Sequence, residues 1–316
     1  MSQPASATTS SAATYASRPV TLMSFWAMLL LALMWGLSIP VTKLGLVTMP
    51  PLTLTAIRFA VAIPLMMLLL IGKKPLPWKA VPAVVCLGIL GIGVGQVAQT
   101  FGVAGTSASI GTILSATIPL FIVLFATLRL KQVASPLQIL GVASAFAGIV
   151  LVAWENSGAT GTSVTTALGP AWMLVSAVAV AFYYVWSVEL TTKHGTVVVA
   201  TWSTFFGFVA LIPWAAWEAS YTPFEITGTA LGAALYLGLV VTVAGLFLWL
   251  RILREVPAPI AASVQYLQPV FGIAASAWMF GDRIGTQFII GVGLILSGVA
   301  LAIRSRPARQ VRKSLD

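Results

Sequence analysis

Charge is what this sequence has least of: only 8% of its 316 residues are Asp, Glu, Lys or Arg. A soluble domain carries about 25%, so this chain cannot cover a water-facing surface of its size. A single cysteine, Cys86, excludes a disulfide scaffold. The single histidine, His194, falls in a short polar link, and with one cysteine in an apolar stretch it makes neither a metal site nor a Cys/His nucleophile pair. Only 7 residues are acidic, and none lies near the middle of an apolar stretch, so a proton relay on a mid-membrane carboxylate is not expected. Gly91, Gly93 and Gly95 lie inside an apolar stretch and follow no strand, which excludes a nucleotide-binding loop. No cofactor is expected.

Apolar residues, in contrast, make up 59% of the chain, and the mean hydropathy is +1.00. A membrane span needs about 20 mostly apolar residues. Ten such stretches stand out, near 22–42, 52–71, 79–101, 107–128, 134–154, 168–189, 196–217, 227–250, 257–280 and 286–304. Lipid-exposed backbone must satisfy its own hydrogen bonds, and nothing alternates at period two, so the expected fold is an all-α membrane protein of ten transmembrane helices. The net charge of +10 is then no nucleic-acid surface. With the N-terminus in the cytoplasm, 14 of the 17 Lys and Arg residues fall on the cytoplasmic side, leaving Lys43 and Arg283 outside and Arg58 within a span. Both termini are therefore expected in the cytoplasm. Residues 1–20 read as a disordered tail, and 305–316 as a basic tail against anionic headgroups.

The chain also repeats itself. A shift of 150 residues aligns Pro119 with Pro269, Phe121 with Phe271, Gly141 with Gly291 and Gly148 with Gly298, without a gap. Two halves of five spans follow, 21–155 and 167–304. Because five is odd, the second half enters the membrane from the opposite side. Such inverted repeats are a mark of carriers that open a central site to each side in turn.

Several of these residues carry a family resemblance. Trp35-Gly36 followed by Lys43, Arg58-Phe59, and Thr106-Ser107-Ala108-Ser109 leading to Pro119 resemble the EamA branch of the drug/metabolite transporter superfamily. So does the stretch from Ala261-Ala262-Ser263 through Pro269 to Gly281-Asp282-Arg283. One departure is that Leu130-Lys131 stands where the family has Gly-Glu at the end of the fourth span, so the acid survives only as Asp282. The resemblance implies movement of small metabolites across the bacterial cytoplasmic (inner) membrane, often outward, and is greatest to the aromatic amino acid exporters.

Candidate substrate-binding residues follow from burial cost. Lys43 and Arg58 are the only charges in the first two spans, and Arg58 lies about 9 Å deep at 1.5 Å per residue. Either one attracts a substrate carboxylate, or Arg58 pairs with carbonyls or snorkels while Lys43 ends the first span. Gln96 and Gln99 share one helix face, with Thr100 next to them, and Gln265 and Gln268 share another before Pro269. These amides bind either across helices or to a ligand. Ser115, the repeat partner of Gln265, is a weaker candidate. Tyr183, Tyr184 and Tyr266 suit an aromatic cavity, since a buried hydroxyl needs a partner.

The sequence thus predicts a carrier and not an enzyme, because no catalytic acid, base or metal constellation lies within the spans. A channel should show a polar ring around a pore, which a few glutamines do not supply. The expected partners are a small-molecule substrate and membrane lipids, with the chain a monomer or weak homodimer. Aromatic or neutral amino acids are the leading substrates, with drugs, sugars or purine metabolites the alternative.

Overall fold

The computed structural model describes residues 22–129, 136–157, 168–255, 264–282 and 284–304. Both predicted tails and the Leu130-Lys131 departure lie outside the described residues. Among those described, the regular structure is helical, with no strand. The helices are α1 (Leu22–Gly45), α2 (Pro51–Leu68), α3 (Trp78–Ala104), α4 (Ala108–Arg129), α5 (Pro136–Ser157), α6 (Leu168–His194), α7 (Thr196–Tyr221), α8 (Gly228–Ile252), α9 (Val264–Phe280) and α10 (Thr286–Arg304). Seven of them, α1 to α4 and α6 to α8, are long and apolar enough to cross a membrane. Ten were expected. Shorter apolar runs, Ile139–Gly148, Leu267–Phe280 and Thr286–Gly298, occupy the remaining three places. In α9 the described helix holds 17 residues, Val264–Phe280, about 26 Å at 1.5 Å per residue, and residues 257–263 of the expected span lie outside the described residues.

Local chemistry sets the ends and breaks. Pro50 is extended, with ψ 158°, and Pro51 takes the first turn of α2, where its missing N–H costs nothing. α1 is interrupted at Leu37 and α4 at Ala116 and Thr117. In each case a proline three or two residues on, Pro40 or Pro119, has no N–H to give and crowds the carbonyl four residues back. His194 is not in a loop, as the sequence suggested, but ends α6. Gly195 alone separates α6 from α7, and its φ of +88° is open to glycine at little cost.

Four loops share one end of the bundle, those after α1, α3, α7 and α9. The Thr48 and Thr227 hydroxyls lie 3.0 Å apart there, and the Glu225 N–H donates to the Thr48 carbonyl. Glu218 Oε2 accepts from the backbone N–H and hydroxyl of Thr53, capping α2. At the opposite end Arg129 donates to the Val185 carbonyl at 2.6 Å and pairs with Glu189 at 3.5 Å, and Ser24 donates to Glu255.

The packing is reciprocal. α1 lies against α8 and α9 as α6 lies against α3 and α4, α2 packs on α8 as α7 packs on α3, and α5 crosses α10. The α5–α10 crossing is close enough that a Cβ on Gly148 would lie 2.6 Å from the Gly291 carbonyl oxygen, and one on Gly298 would lie 2.4 Å from that of Gly141. Ser144 donates to the Leu294 carbonyl between them, and 144 and 294 are themselves 150 apart. Two π-helical segments also recur at nearly this offset, Leu87–Val94 in α3 and Tyr236–Ala244 in α8, whose last residues are 150 apart. The main apolar core draws on both halves, among them Ile39, Ile113, Leu114, Met173, Phe288 and Ile295.

Candidate functional site: a polar cluster between α2, α3 and α8

Arg58 sits seven residues into α2, about 10 Å along its axis, and is 8% exposed. The α2 backbone comes close to α8 here, because Gly238 presents no Cβ: one added there would lie 2.7 Å from the Arg58 carbonyl oxygen. The guanidinium reaches two other helices. Its Nη1 donates to Gln96 Oε1 of α3 at 2.7 Å, while Nε and Nη2 both donate to Thr242 Oγ1 of α8 at 3.2 Å. Thr242 in turn donates to the Leu237 carbonyl five residues back, the spacing of the π-helical segment it occupies. Irregular helix of this kind collects at functional sites because it re-aims side chains that regular helix would place elsewhere. The Phe59 ring, 5.7 Å from the guanidinium carbon, forms one wall.

A hydroxyl ladder continues from the cluster. Thr100 donates to the Gln96 carbonyl, its oxygen lies 2.9 Å from that of Thr55, and Thr55 donates to the Pro51 carbonyl. Among the described residues no carboxylate lies within 4.0 Å of Arg58; the ion pairs formed are those of Glu189 and Glu255. A buried cation without a counter-charge costs several kcal/mol. The neutral oxygens of Gln96 and Thr242 offset part of this cost.

The structure brings Arg58 and Gln96 together and separates the other sequence candidates. Gln99, one turn along α3, is half-buried and makes no side-chain hydrogen bond to a described residue. Lys43 is at the loop end: its Nζ donates to the carbonyls of Val103, Ala104 and Thr106 at 2.9, 3.3 and 2.7 Å. It thus closes the C-terminus of α3, where a cation complements the helix dipole. Asp282 lies near it and caps α4 by accepting from the Ser109 N–H at 2.9 Å. Ser115 donates to the Thr112 carbonyl in its own helix, beside the break in α4.

Tyr183 packs on the glycine face of α3, where a Cβ on Gly91 would lie 2.5 Å from its own Cβ, and faces Ser203 of α7. Tyr184 is 42% exposed, with its ring edge-on to Tyr183 at 6.0 Å. The Gln268 backbone meets Gly36 of α1. Gln265 and Tyr266 fall within α9, but their side chains lie outside the described residues.

One contributor went unnoticed in the sequence, and another, Trp35, stood out there only as part of a motif. Thr242 interrupts the apolar run Leu239–Val243 opposite Ile92 of the repeat, and that mismatch is the one signal that marks it. Trp35 donates its indole N–H to the Val241 carbonyl at 3.1 Å, a contact that Gly245 makes room for.

Apolar helices of spanning length, enclosing a buried polar cluster built from distant segments, define a multi-pass membrane protein of the transporter class. The profile of the EamA-like transporter family matches residues 22–154 and 167–304, and the chain belongs to that family. An uncharacterized transporter of Archaeoglobus fulgidus is 24% identical over 290 residues, covering 90% of this chain and all of that one. A probable terminal-alkyne amino-acid exporter of Streptantibioticus cattleyicolor is 25% identical over 290 residues, covering 90% of this chain and 95% of that one. A crystal structure shares the fold with a TM-score of 0.59 at 21% identity, covering 89% of this chain and 94% of that one.

Proposed function

We propose that the protein is a secondary carrier of ten spans that exports small metabolites, amino acids above all, across the bacterial cytoplasmic membrane. The observation that carries this reading is the Arg58–Gln96–Thr242 cluster, in which one half of the chain supplies the cation and the amide and the other supplies the hydroxyl. A solute bound there is held by both halves at once, so a rocking of the halves would open it to either side. The reciprocal packing of helices five places apart supports reading them as an inverted repeat. The basic ends of α4, α6 and α8 support placing that end, and both termini, in the cytoplasm. The printed name of the Streptantibioticus relative supports amino acids as cargo. Recognition by amides, hydroxyls and aromatic rings in apolar helices describes a carrier rather than an enzyme.

The test is flux in proteoliposomes of the full chain, with a panel of labelled amino acids under imposed pH gradients. At least one neutral or aromatic amino acid is expected to move above empty vesicles. Movement of drugs or nucleosides alone overturns the substrate class and leaves the carrier standing; no movement of any solute overturns the carrier.

A further inference from the structure

A guanidinium carries five N–H donors. In Arg58 the Nε–H and one N–H of Nη2 go to Thr242, and one N–H of Nη1 goes to Gln96. One N–H on each of the two terminal nitrogens is left without an acceptor among the described residues. We propose that this pair is a carboxylate-binding fork, that Thr242 and Gln96 are positioning residues which hold it, and that the carboxylate is the charge by which the transported solute is recognised. The inference deepens the carrier reading and rests on it.

Two adjacent N–H groups on a planar guanidinium match the two oxygens of a carboxylate, which accept in parallel. The charge balance favours one negative charge. Arg58 is the only Lys or Arg well inside the first two spans, since Lys43 is spent on carbonyls at the end of α3. A monoanion neutralises this centre, whereas a phosphate dianion would leave a buried excess charge.

The distribution of acids adds the specificity. Seven residues are acidic, and those whose side chains are described, Glu189, Glu218, Glu225, Glu255 and Asp282, all stand at helix ends or in the loops between helices. Among the described residues a solute ammonium therefore meets no carboxylate at the depth of Arg58. Removing the amino group from a substrate leaves the recognised charge in place, and removing the carboxylate deletes it.

Among the described residues the Arg58 cluster also has no counterpart in the second half. Gly88 meets the Ser203 carbonyl as Gly238 meets that of Arg58, so Ser203 occupies the equivalent place on α7, with Tyr183 facing it. Gly91, which packs on Tyr183, precedes Gln96 by five residues, about 7 Å along α3. The charged end of a solute is thus set on the α2 side, and an uncharged aromatic wall lies on the α6 side of the same helix.

The test is equilibrium binding of labelled phenylalanine to the purified full-length protein, in competition with 3-phenylpropionate, which lacks the ammonium, and phenethylamine, which lacks the carboxylate. The first is expected to compete and the second is not. Arg58→Gln is expected to weaken phenylalanine binding by about tenfold to a hundredfold, the range for lost hydrogen bonds to a charged group. Arg58→Lys, which keeps the charge but loses the fork, is expected to weaken it at least about tenfold and serves if the Gln variant does not fold. Thr242→Val is expected to weaken it less, with Thr242→Ser restoring it.

Competition by phenethylamine as strong as by 3-phenylpropionate overturns the proposal. So does wild-type affinity in a folded Arg58→Lys or Arg58→Gln protein, or failure of the folded wild type to bind either carboxylate. If proteoliposomes still move an amine in that last case, only the fork has failed; if they move nothing, the carrier reading has failed as well.

Discussion

Replacing Gly298 with valine is expected to deplete the folded protein severely, although the residue is far from the polar cluster. Its Cβ would lie 2.4 Å from the Gly141 carbonyl oxygen and 2.6 Å from the Ala145 nitrogen. Both obstacles are backbone, so no rotamer change relieves them and α5 must move away from α10. That separation also breaks the Ser144 to Leu294 hydrogen bond and loosens the contact of Ala145 and Ile295 in the core. Overpacking costs about 1–3 kcal/mol and more where backbone is forced apart, so a loss of about 3 kcal/mol or more is expected. The control is Gly293→Ala in the same helix, which meets nothing within 4 Å. It should hold or raise the thermal midpoint, because alanine is favoured over glycine in a helix by about 1 kcal/mol. Unfolding of the detergent-solubilised protein measures both, and equal midpoints for the two variants would contradict the close crossing.

The second large effect is expected at Lys43. Its ammonium holds three carbonyls at the end of α3 and lies near Asp282, which caps α4. Lys43→Met leaves those carbonyls to water or unpaired and removes the positive charge from a helix C-terminus. Hydrogen bonds to a charged group contribute about 1.5–3 kcal/mol each, so with partial rehydration a loss of about 2–4 kcal/mol is expected. The variant should lose stability first, and the protein that does fold should still bind phenylalanine. A folded Lys43→Met protein with an unchanged midpoint and no binding would instead make Lys43 a ligand for the solute.

These two residues show what a sequence can and cannot disclose. Gly298 was legible, because a glycine that recurs at a fixed offset in an apolar stretch signals close packing at two related places. The spans were legible for the same reason: hydropathy acts over some twenty residues and tolerates error at the ends. Helix ends were less legible: α6 runs on to His194, since a helix end is decided by one residue such as Gly195. Lys43 was not legible. A lysine at the end of a span looks the same whether it faces a solute, a headgroup or the carbonyls of a helix sixty residues on. Arg58 and Gln96 could each be singled out by the cost of burial, but their meeting depends on how α2 and α3 are rotated. Thr242 joined them through a π-helical turn, for which α8 carries no distinctive composition.

A carrier of this kind would expose one polar site, shared by two halves, to each side in turn. Counterflow tests it most directly. Vesicles containing the purified protein are preloaded with unlabelled phenylalanine, or left empty, and entry of labelled phenylalanine is followed without any ion gradient. Preloading should accelerate entry and produce a transient accumulation above the outside level, because a loaded site returns faster than an empty one. Entry at the same rate with and without internal phenylalanine, and no overshoot, would contradict alternating access.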